Sequence, residues 1–298
     1  MPRLKDITGQ RFGRLVAQTR IGKNKHGKSV WQFICDCGNT HSCILGAVTS
    51  GNTRSCGCFH KEIVSEMGKG RRKKVNHHFF SKWSEEMAWV LGFWAADGWV
   101  SLSRRKYILG FSQSNKSAIQ KVKRLISSDH KVSTKDNGGV SLQYTSKRQY
   151  VDLCSLFQMD VISKSLTLKW PEIPKEYIKH FVRGYVDGDG CLTWTNNNPS
   201  LSICSGSGAF LEGMGAAIER ETGISKPKIG EYGIKLLKYC SIRAVCLSSW
   251  LYSECTVCLD RKKELALEFM KWKGKSIRRS SLTPKMVEMF PEFIKSKT

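Results

Sequence analysis

The sequence predicts an α+β fold: a pseudo-two-fold pair of αββαββα halves, preceded by a small cysteine-bearing N-terminal domain. Three observations predict it. An apolar segment ending in Asp-Gly occurs twice, as Val90-Leu91-Gly92-Phe93-Trp94-Ala95-Ala96-Asp97-Gly98 and as Val182-Arg183-Gly184-Tyr185-Val186-Asp187-Gly188-Asp189-Gly190. Each copy is followed by the same order of strand-like and helix-like stretches. Two Cys-x-Cys pairs set the first sixty residues apart. At 298 residues and 40% hydrophobic content the chain can bury a substantial core and hold two or three domains. The expected boundaries are 1–60 for the cysteine module, 61–83 for a basic linker, 84–172 and 173–272 for the halves, and 273–298 for a tail.

The N-terminal module contains Thr8-Gly9-Gln10-Arg11-Phe12-Gly13-Arg14-Leu15, then Trp31, Cys35-Asp36-Cys37-Gly38 and Ser55-Cys56-Gly57-Cys58. Four thiolates, from Cys35, Cys37, Cys56 and Cys58, suit one tetrahedral structural Zn²⁺. Metal binding would supply folding energy to a segment with little core of its own. Free buried cysteines or a disulfide are the alternatives, and His41 or Cys43 would substitute if one of the four is not a ligand. The following stretch, Gly68 to His78, combines glycine with dense like charge, which argues for an extended tether. Arg71, Arg72, Lys73 and Lys74 are its candidate polyanion contacts, with a solvated linker as the plain alternative.

In the first half Ser84 is a candidate N-cap, with Glu85 and Glu86 in the first turn where the helix dipole favours anions. Met87, Val90, Leu91 and Trp94 recur at helical spacing. In the second half Pro174 suits a first helical position, and Tyr177, Ile178, Phe181 and Val182 continue the apolar stripe. Gly92 and Ala96, like Gly184 and Gly188, are four apart and share a helix face, which lets two backbones approach closely. Glycine inside a helix costs about 1 kcal/mol against alanine, so a packing reason is expected. Gly98 and Gly190 are expected to end the helices in the left-handed conformation. Strands are expected at Trp99–Leu102 and Tyr107–Gln113, a helix at Ala118–Ile126, strands at His130–Thr134 and Val140–Thr145 around Asn137-Gly138-Gly139, and a helix at Tyr150–Phe157. The second half repeats this order at 192–194, 201–204, 210–221, 226–229, 234–239 and 245–252, with a further helix at 259–269.

Asp97 and Asp189 are thus carboxylates at helix C-termini, where the dipole is already negative. Side by side they would also repel each other. A divalent cation offsets both penalties, and Mg²⁺ prefers one or two carboxylates plus waters and phosphate oxygens. Asp187 has Ala95 as its counterpart, so it reads as a local polar contact rather than a catalyst.

The repeated motif resembles that of the single-chain LAGLIDADG homing endonucleases, over roughly residues 84 to 270. The resemblance implies two four-stranded sheets forming a DNA-binding saddle, and site-specific, Mg²⁺-dependent hydrolysis of both DNA strands that leaves 3′ overhangs. It implies two or more Mg²⁺ held by Asp97 and Asp189, with Gly98 and Gly190 beside them. It also implies a basic residue near each centre at the end of the second hairpin. Lys147 is the first choice; its counterpart Ser241 departs from the pattern, which leaves Lys238 or Arg243. Ser114 and Ser207 are candidate water or phosphate contacts, or helix caps. The first sixty residues resemble small zinc-binding DNA modules of phage and mobile-element proteins, which implies site recognition. On the ribbons, Arg104, Arg105, Lys106, Lys131 and Lys135 in one half, and Asn196, Asn197, Asn198, Lys226, Lys228 and Lys235 in the other, are candidate DNA contacts. They differ between halves, so the expected target is asymmetric. The expected assembly is a monomer acting as its own pseudo-dimer.

The 49 Lys and Arg against 25 Asp and Glu leave a net charge of +24, which independently points to a polyanion, nucleic acid first. No transmembrane stretch, signal peptide or lipidation motif stands out, so a membrane partner is not expected. The 12 cysteines lack the pattern of a small secreted domain, so a reducing interior is expected, the cytoplasm of a bacterial or phage-infected cell. Cys154, Cys191, Cys204, Cys240 and Cys246 read as core, and Cys255-x-x-Cys258 as a lone pair. No Ser-His-Asp or Cys-His arrangement stands out. The tail carries Arg278-Arg279 and an amphipathic piece from Pro284 to Phe293. Two rival functions stay open on the same scaffold: a non-cleaving DNA-binding regulator and an RNA maturase.

Overall fold

The structure, a computed structural model, describes residues 6–71, 73–136, 138–158, 164–231, 233–274 and 282–294. Two units emerge, Met1–Arg72 and Lys73–Thr298.

The first unit is a four-stranded antiparallel sheet in the order β1 (Arg11–Phe12), β2 (Leu15–Lys23), β3 (Ser29–Cys35), β4 (Thr40–Ile44), followed by α1 (Leu45–Thr49) and α2 (Cys58–Arg71). Its core is small: Ile7, Leu15, Ala17, Trp31, Phe33, Cys35 and Val48. Gly13 needs to be glycine, because its φ is +63° and a Cβ there would lie 2.7 Å from the Arg54 carbonyl. That close approach carries the Arg14 N–H to the same carbonyl at 2.8 Å, stitching the first hairpin to the segment before Cys56.

The expected extended tether is corrected at both of its ends. Residues 58–71 continue as the α2 helix, so Gly68–Arg71 is helical. Residues 73–81 pack on the second unit. Val75 and Phe80 are buried there, the Lys74 N–H donates to Asp129 at 2.7 Å, and Gln149 donates to the Asn76 carbonyl at 2.5 Å. Two apolar anchors and satisfied backbone groups outweigh the like-charge repulsion that suggested a free chain. Arg72 and the Arg71 side chain lie outside the described residues, as do Asn137 and Arg278-Arg279.

The second unit repeats one order twice. After a 3₁₀ turn at Phe79–Ser81 come α3 (Glu85–Asp97), β5 (Gly98–Ser103), β6 (Lys106–Gln113), α4 (Lys116–Leu125), β7 (Val132–Thr134), β8 (Val140–Thr145) and α5 (Lys147–Phe157). A short α6 (Lys164–Thr167) and a 3₁₀ turn (Lys175–Tyr177) lead to α7 (Ile178–Asp189), β9 (Gly190–Thr195), β10 (Asn198–Ser205), α8 (Gly208–Thr222), β11 (Gly230–Glu231), β12 (Lys235–Cys240) and α9 (Ile242–Tyr252). Then α10 (Asp260–Met270), α11 (Pro284–Met289) and α12 (Pro291–Ile294) follow. The sheets have equivalent strand orders, β5-β6-β8-β7 and β9-β10-β12-β11. Met286, Phe290 and Ile294 of the tail are buried in the main core, so the amphipathic 284–293 piece docks on this unit.

Ser84 caps α3 by accepting from the Met87 N–H at 3.1 Å. Pro174 caps the 3₁₀ turn instead of opening α7, which starts four residues later. Gly98 and Gly190 are extended, with φ of −87° and −82°, rather than left-handed. Each becomes the first residue of a strand, pairing with Phe111 and Ile203, so the helix passes straight into the sheet. Residues 226–229 form no strand; the edge strand is the shorter β11 beyond them. Cys191 and Cys240 are exposed on the open sheet face, a correction to their reading as core; the strand alternation at Leu192 and Tyr239 turns them outward.

Candidate active site

The α3 and α7 helices touch backbone to backbone. A Cβ on Gly92 would lie 2.0 Å from the Phe181 carbonyl oxygen, and one on Gly184 would lie 2.0 Å from that of Trp89. One turn further on, a Cβ on Gly188 would meet the Ala96 Cβ at 2.4 Å and the Asp97 carboxylate at 2.8 Å. Each glycine's propensity cost therefore admits a helix crossing that no side chain permits. The last turns of both helices converge, and Asp97 and Asp189 end them. Asp97 is half-buried and Asp189 exposed. Both carboxylates lie within electrostatic reach of the same two groups, the Tyr185 hydroxyl and the Lys262 ammonium.

Asp187 is a buried structural acid, in keeping with its reading as a polar contact. It accepts from Trp89 Nε1 at 2.8 Å, the Tyr252 hydroxyl at 2.9 Å and the Leu259 N–H at 3.0 Å. Burial pushes its carboxyl up to about 6, against the pull of these donors and Lys262. Lys262 is the residue that sequence reading missed. Its Nζ donates to the carbonyls of Val186, Asp187 and Gly190 at 2.5, 2.8 and 2.7 Å. The signal was available: Leu259, Lys262, Ala266 and Phe269 fall on one helical stripe, and a lysine there is anomalous. The Gly190 carbonyl, expected beside the metal, thus already accepts from an ammonium through one of its two lone pairs.

Lys147 is not beside the acids. Gly98 lies across from Phe111, and Phe111 across from Leu142. Thr145 is three residues further along β8, roughly 10 Å towards the opposite end of the sheet. Lys147 follows it there, over the Tyr107 ring, on a cavity of about 390 Å³ shared with His77, Arg105 and Lys106. By register its counterpart is Ile242, not Ser241, since Thr145 matches Cys240. Lys238 lies in the row Cys191–Ser202–Lys238, one residue past Gly190, on the open face. The equivalent row in the first half is Trp99–Gly110–Gln143, so Gln143 is its structural partner. Lys238 and Arg243 line a larger cavity of about 1010 Å³ with Asn196 to Asn198.

The ribbon tips are two-residue hairpins in matching positions. Arg104 and Arg105 have φ of +46° and +63°, Asn196 and Asn197 +49° and +59°. Asparagine suits such a turn; paired arginines do not, and each costs on the order of 1 kcal/mol there. Lys73, Lys74, Arg104, Arg105, Lys106, Lys131, Asn197 and Lys228 are exposed. Lys135 reaches across the sheet to donate to Ser112 at 3.2 Å. Lys226 is ion-paired with Glu212 at the surface. Lys235 packs its stem over Gly208. Ser207 is buried as the α8 cap and donates to the Leu168 carbonyl at 2.6 Å, so it contacts no solvent ligand. The α4 cap is Asn115 rather than Ser114, which lines a cavity with Gly188, Arg261 and Lys262.

In the first unit the sulfurs of Cys35, Cys37, Cys56 and Cys58 lie within 4.8 Å of one another, the one such cluster among the described residues. Cys35 and Cys58 are 3.6 Å apart, Cys37 and Cys56 3.3 Å. Tetrahedral zinc at about 2.3 Å separates its sulfurs by about 3.8 Å, so the set fits Zn²⁺. Backbone N–H groups of Cys37 and Cys56 hold the Cys35 thiol down to about 6, favouring the thiolate that zinc requires. Arg14 stands beside the Cys58 sulfur at 3.7 Å and pairs with Glu62 at 2.8 Å.

Residues 84–155 match the LAGLIDADG-like domain family, and this segment is a LAGLIDADG-like domain. No curated protein matches the chain. Among solved structures it is similar to I-DmoI in complex with DNA and Mn, at 15% identity over 57% of this chain and 98% of that one, TM-score 0.42. It is similar to full-length DUF199/WhiA from Thermatoga maritima, at 13% identity over 69% and 68%, TM-score 0.45. It is also similar to the homing endonuclease I-WcaI bound to its DNA recognition sequence, at 12% identity over 71% and 89%, TM-score 0.41. Among the described residues no helix is long and apolar enough to cross a membrane.

Proposed function

We propose that the chain is a site-specific, Mg²⁺-dependent double-strand DNA endonuclease of the homing type, cutting a long asymmetric site to leave 3′ overhangs. The observation that carries this reading is the convergence of two Asp-terminated helices through glycine contact, with Gly188 set against the Asp97 carboxylate. Two carboxylates brought together at negative helix ends are costly, and that cost fits a cation-binding role. Asp97 and Asp189 would hold Mg²⁺, with the backbone of Gly98 and Gly190 beside them. Bound Mg²⁺ supplies charge neutralisation and a water of lowered pKa. The protein's own part is to fix the two acids and align the duplex. Net charge of +24, the exposed ribbon cations and the polar open sheet faces suit a DNA backbone. The structural zinc module extends the recognised site. A monomer with two halves, working in a reducing cell interior that keeps the zinc thiolates intact, completes the reading.

The test is cleavage of duplexes drawn from the DNA flanking the gene, with and without Mg²⁺. Wild type should cut both strands only with Mg²⁺, while D97N and D189N each bind the same duplex and fail to cut. Binding without cutting by wild type supports instead the non-cleaving regulator, and preferential binding of intron RNA the maturase. Normal cutting by both variants would falsify the catalytic assignment.

A further inference from the structure

We propose that Lys262 is a positioning residue of the paired-carboxylate centre: a resident cation fixed on the carboxyl end of α7 that holds Asp189 beside Asp97 before any metal arrives. This rests on the reading of Asp97 and Asp189 as the metal-binding pair.

The last carbonyls of a helix have no partner within it, and they carry the negative end of its dipole. In α7 one ammonium collects them: Nζ of Lys262 lies 2.5 Å from the Val186 oxygen, 2.8 Å from Asp187, 2.7 Å from Gly190 and 3.5 Å from Gly188. These carbonyls flank Asp189 on both sides, so the ammonium fixes the backbone from which that carboxylate projects. Lys262 itself is 5% exposed, and a buried ammonium is expensive unless charge and hydrogen bonds compensate. Burial pulls the ammonium below its usual range, and three carboxylates, Asp187, Asp97 and Asp189, offset that in part while Arg261 opposes them. Lys262 thus sits in the combined field of both catalytic candidates and the structural acid.

Its own helix is anchored to keep it there. The Leu259 N–H donates to Asp187 at 3.0 Å, and Lys121 of α4 holds the Cys258 carbonyl and the Asp260 carboxylate at the start of α10. A purely structural hydrogen-bond donor would do with a neutral side chain. The site instead places a full positive charge where two like charges and a helix terminus meet. The expected consequence is that the charge of Lys262 and that of a bound metal partly substitute for one another.

The experiment compares thermal unfolding of wild type, K262Q and K262R in buffer stripped of divalent ions and in about 10 mM Mg²⁺. K262Q should lose on the order of 10 °C in metal-free buffer, and Mg²⁺ should restore at least half of that loss. Wild type and K262R should shift much less. In the K262Q background, D97N/D189N should restore the midpoint without Mg²⁺ and abolish the response to it. A K262Q loss that is equal with and without Mg²⁺ and unrelieved by D97N/D189N overturns the inference, as does no loss at all. If K262Q does not fold, the same comparison is made with K262Q/D187N, which removes the buried pair together. Failure of the endonuclease reading is separable: wild type then cuts no duplex, while the D97N/D189N relief of K262Q still reports on charge alone.

Discussion

Trp89 Nε1 donates to the Asp187 carboxylate across 2.8 Å, joining α3 to α7 at a position where both side chains are buried. The positions related to them by the repeat are Phe181 and Ala95. One side of the pseudo-dyad therefore carries a polar pair and the other an apolar pair of similar packing role. Each is self-consistent, because a buried acceptor needs its donors and a buried phenyl ring needs none.

Asp187→Asn is expected to cost less than Asp187→Leu, since the amide oxygen can keep Trp89 and Leu259, but it still removes a carboxylate that offsets the buried Lys262 ammonium. Asp187→Leu strands three donors and should cost about 3 kcal/mol or more. The pH dependence has a definite sign. With the folded carboxyl raised to about 6, the native state keeps a proton between about pH 4 and pH 6 that the unfolded chain releases. Stability from this group is therefore highest at the acid end of that window and falls as pH rises through it. Urea midpoints across the window should show the fall in wild type and its loss in Asp187→Asn.

Gly92→Ala and Gly184→Ala should each abolish or severely reduce stability, by at least about 3 kcal/mol, because the new methyl meets a carbonyl oxygen at 2.0 Å. Gly46→Ala is the control: it stands on ordinary helical backbone with nothing within 4 Å, and should stabilise by about 0.5–1 kcal/mol. Chemical denaturation of the three variants checks the contrast.

Purified protein should contain one zinc per chain. Zinc removal or Cys56→Ser should unfold residues 6–71 while leaving the second unit folded, because the small apolar core of the first cannot stand without the metal. Metal analysis with limited proteolysis reads both.

Lys147→Ala should weaken binding to a cleavable duplex uniformly across sequences and lower the salt slope by about 1, with cutting by the bound complex unchanged. Its site is the Tyr107 cavity, remote from Asp97. A large drop in the single-turnover rate at saturating protein would return Lys147 to the centre.

The repeat and the Cys-x-Cys pairs were legible because they are local: spacing of four along a helix, or of two across a thiolate pair, survives in one dimension. So were Ser84 as a cap and Asp187 as a contact without catalytic rank. Lys147 was misplaced because hairpin order says nothing about which end of a strand faces the acids. That follows only from the register Gly98–Phe111–Leu142. The linker was misread because composition reports charge, while the burial of Val75 and Phe80 depends on a surface made elsewhere in the chain.

Two similar halves, paired acidic helix ends and a thiolate quartet were written in the residues, since periodicity and ligand spacing are properties of a linear string. Where the two acidic helix ends converge, which carbonyls Lys262 occupies and which of the described candidate lysines are exposed came from folding alone. These depend on helix crossing and strand register, where segments distant along the chain come into contact, as Lys262 and Gly190 do across 72 residues.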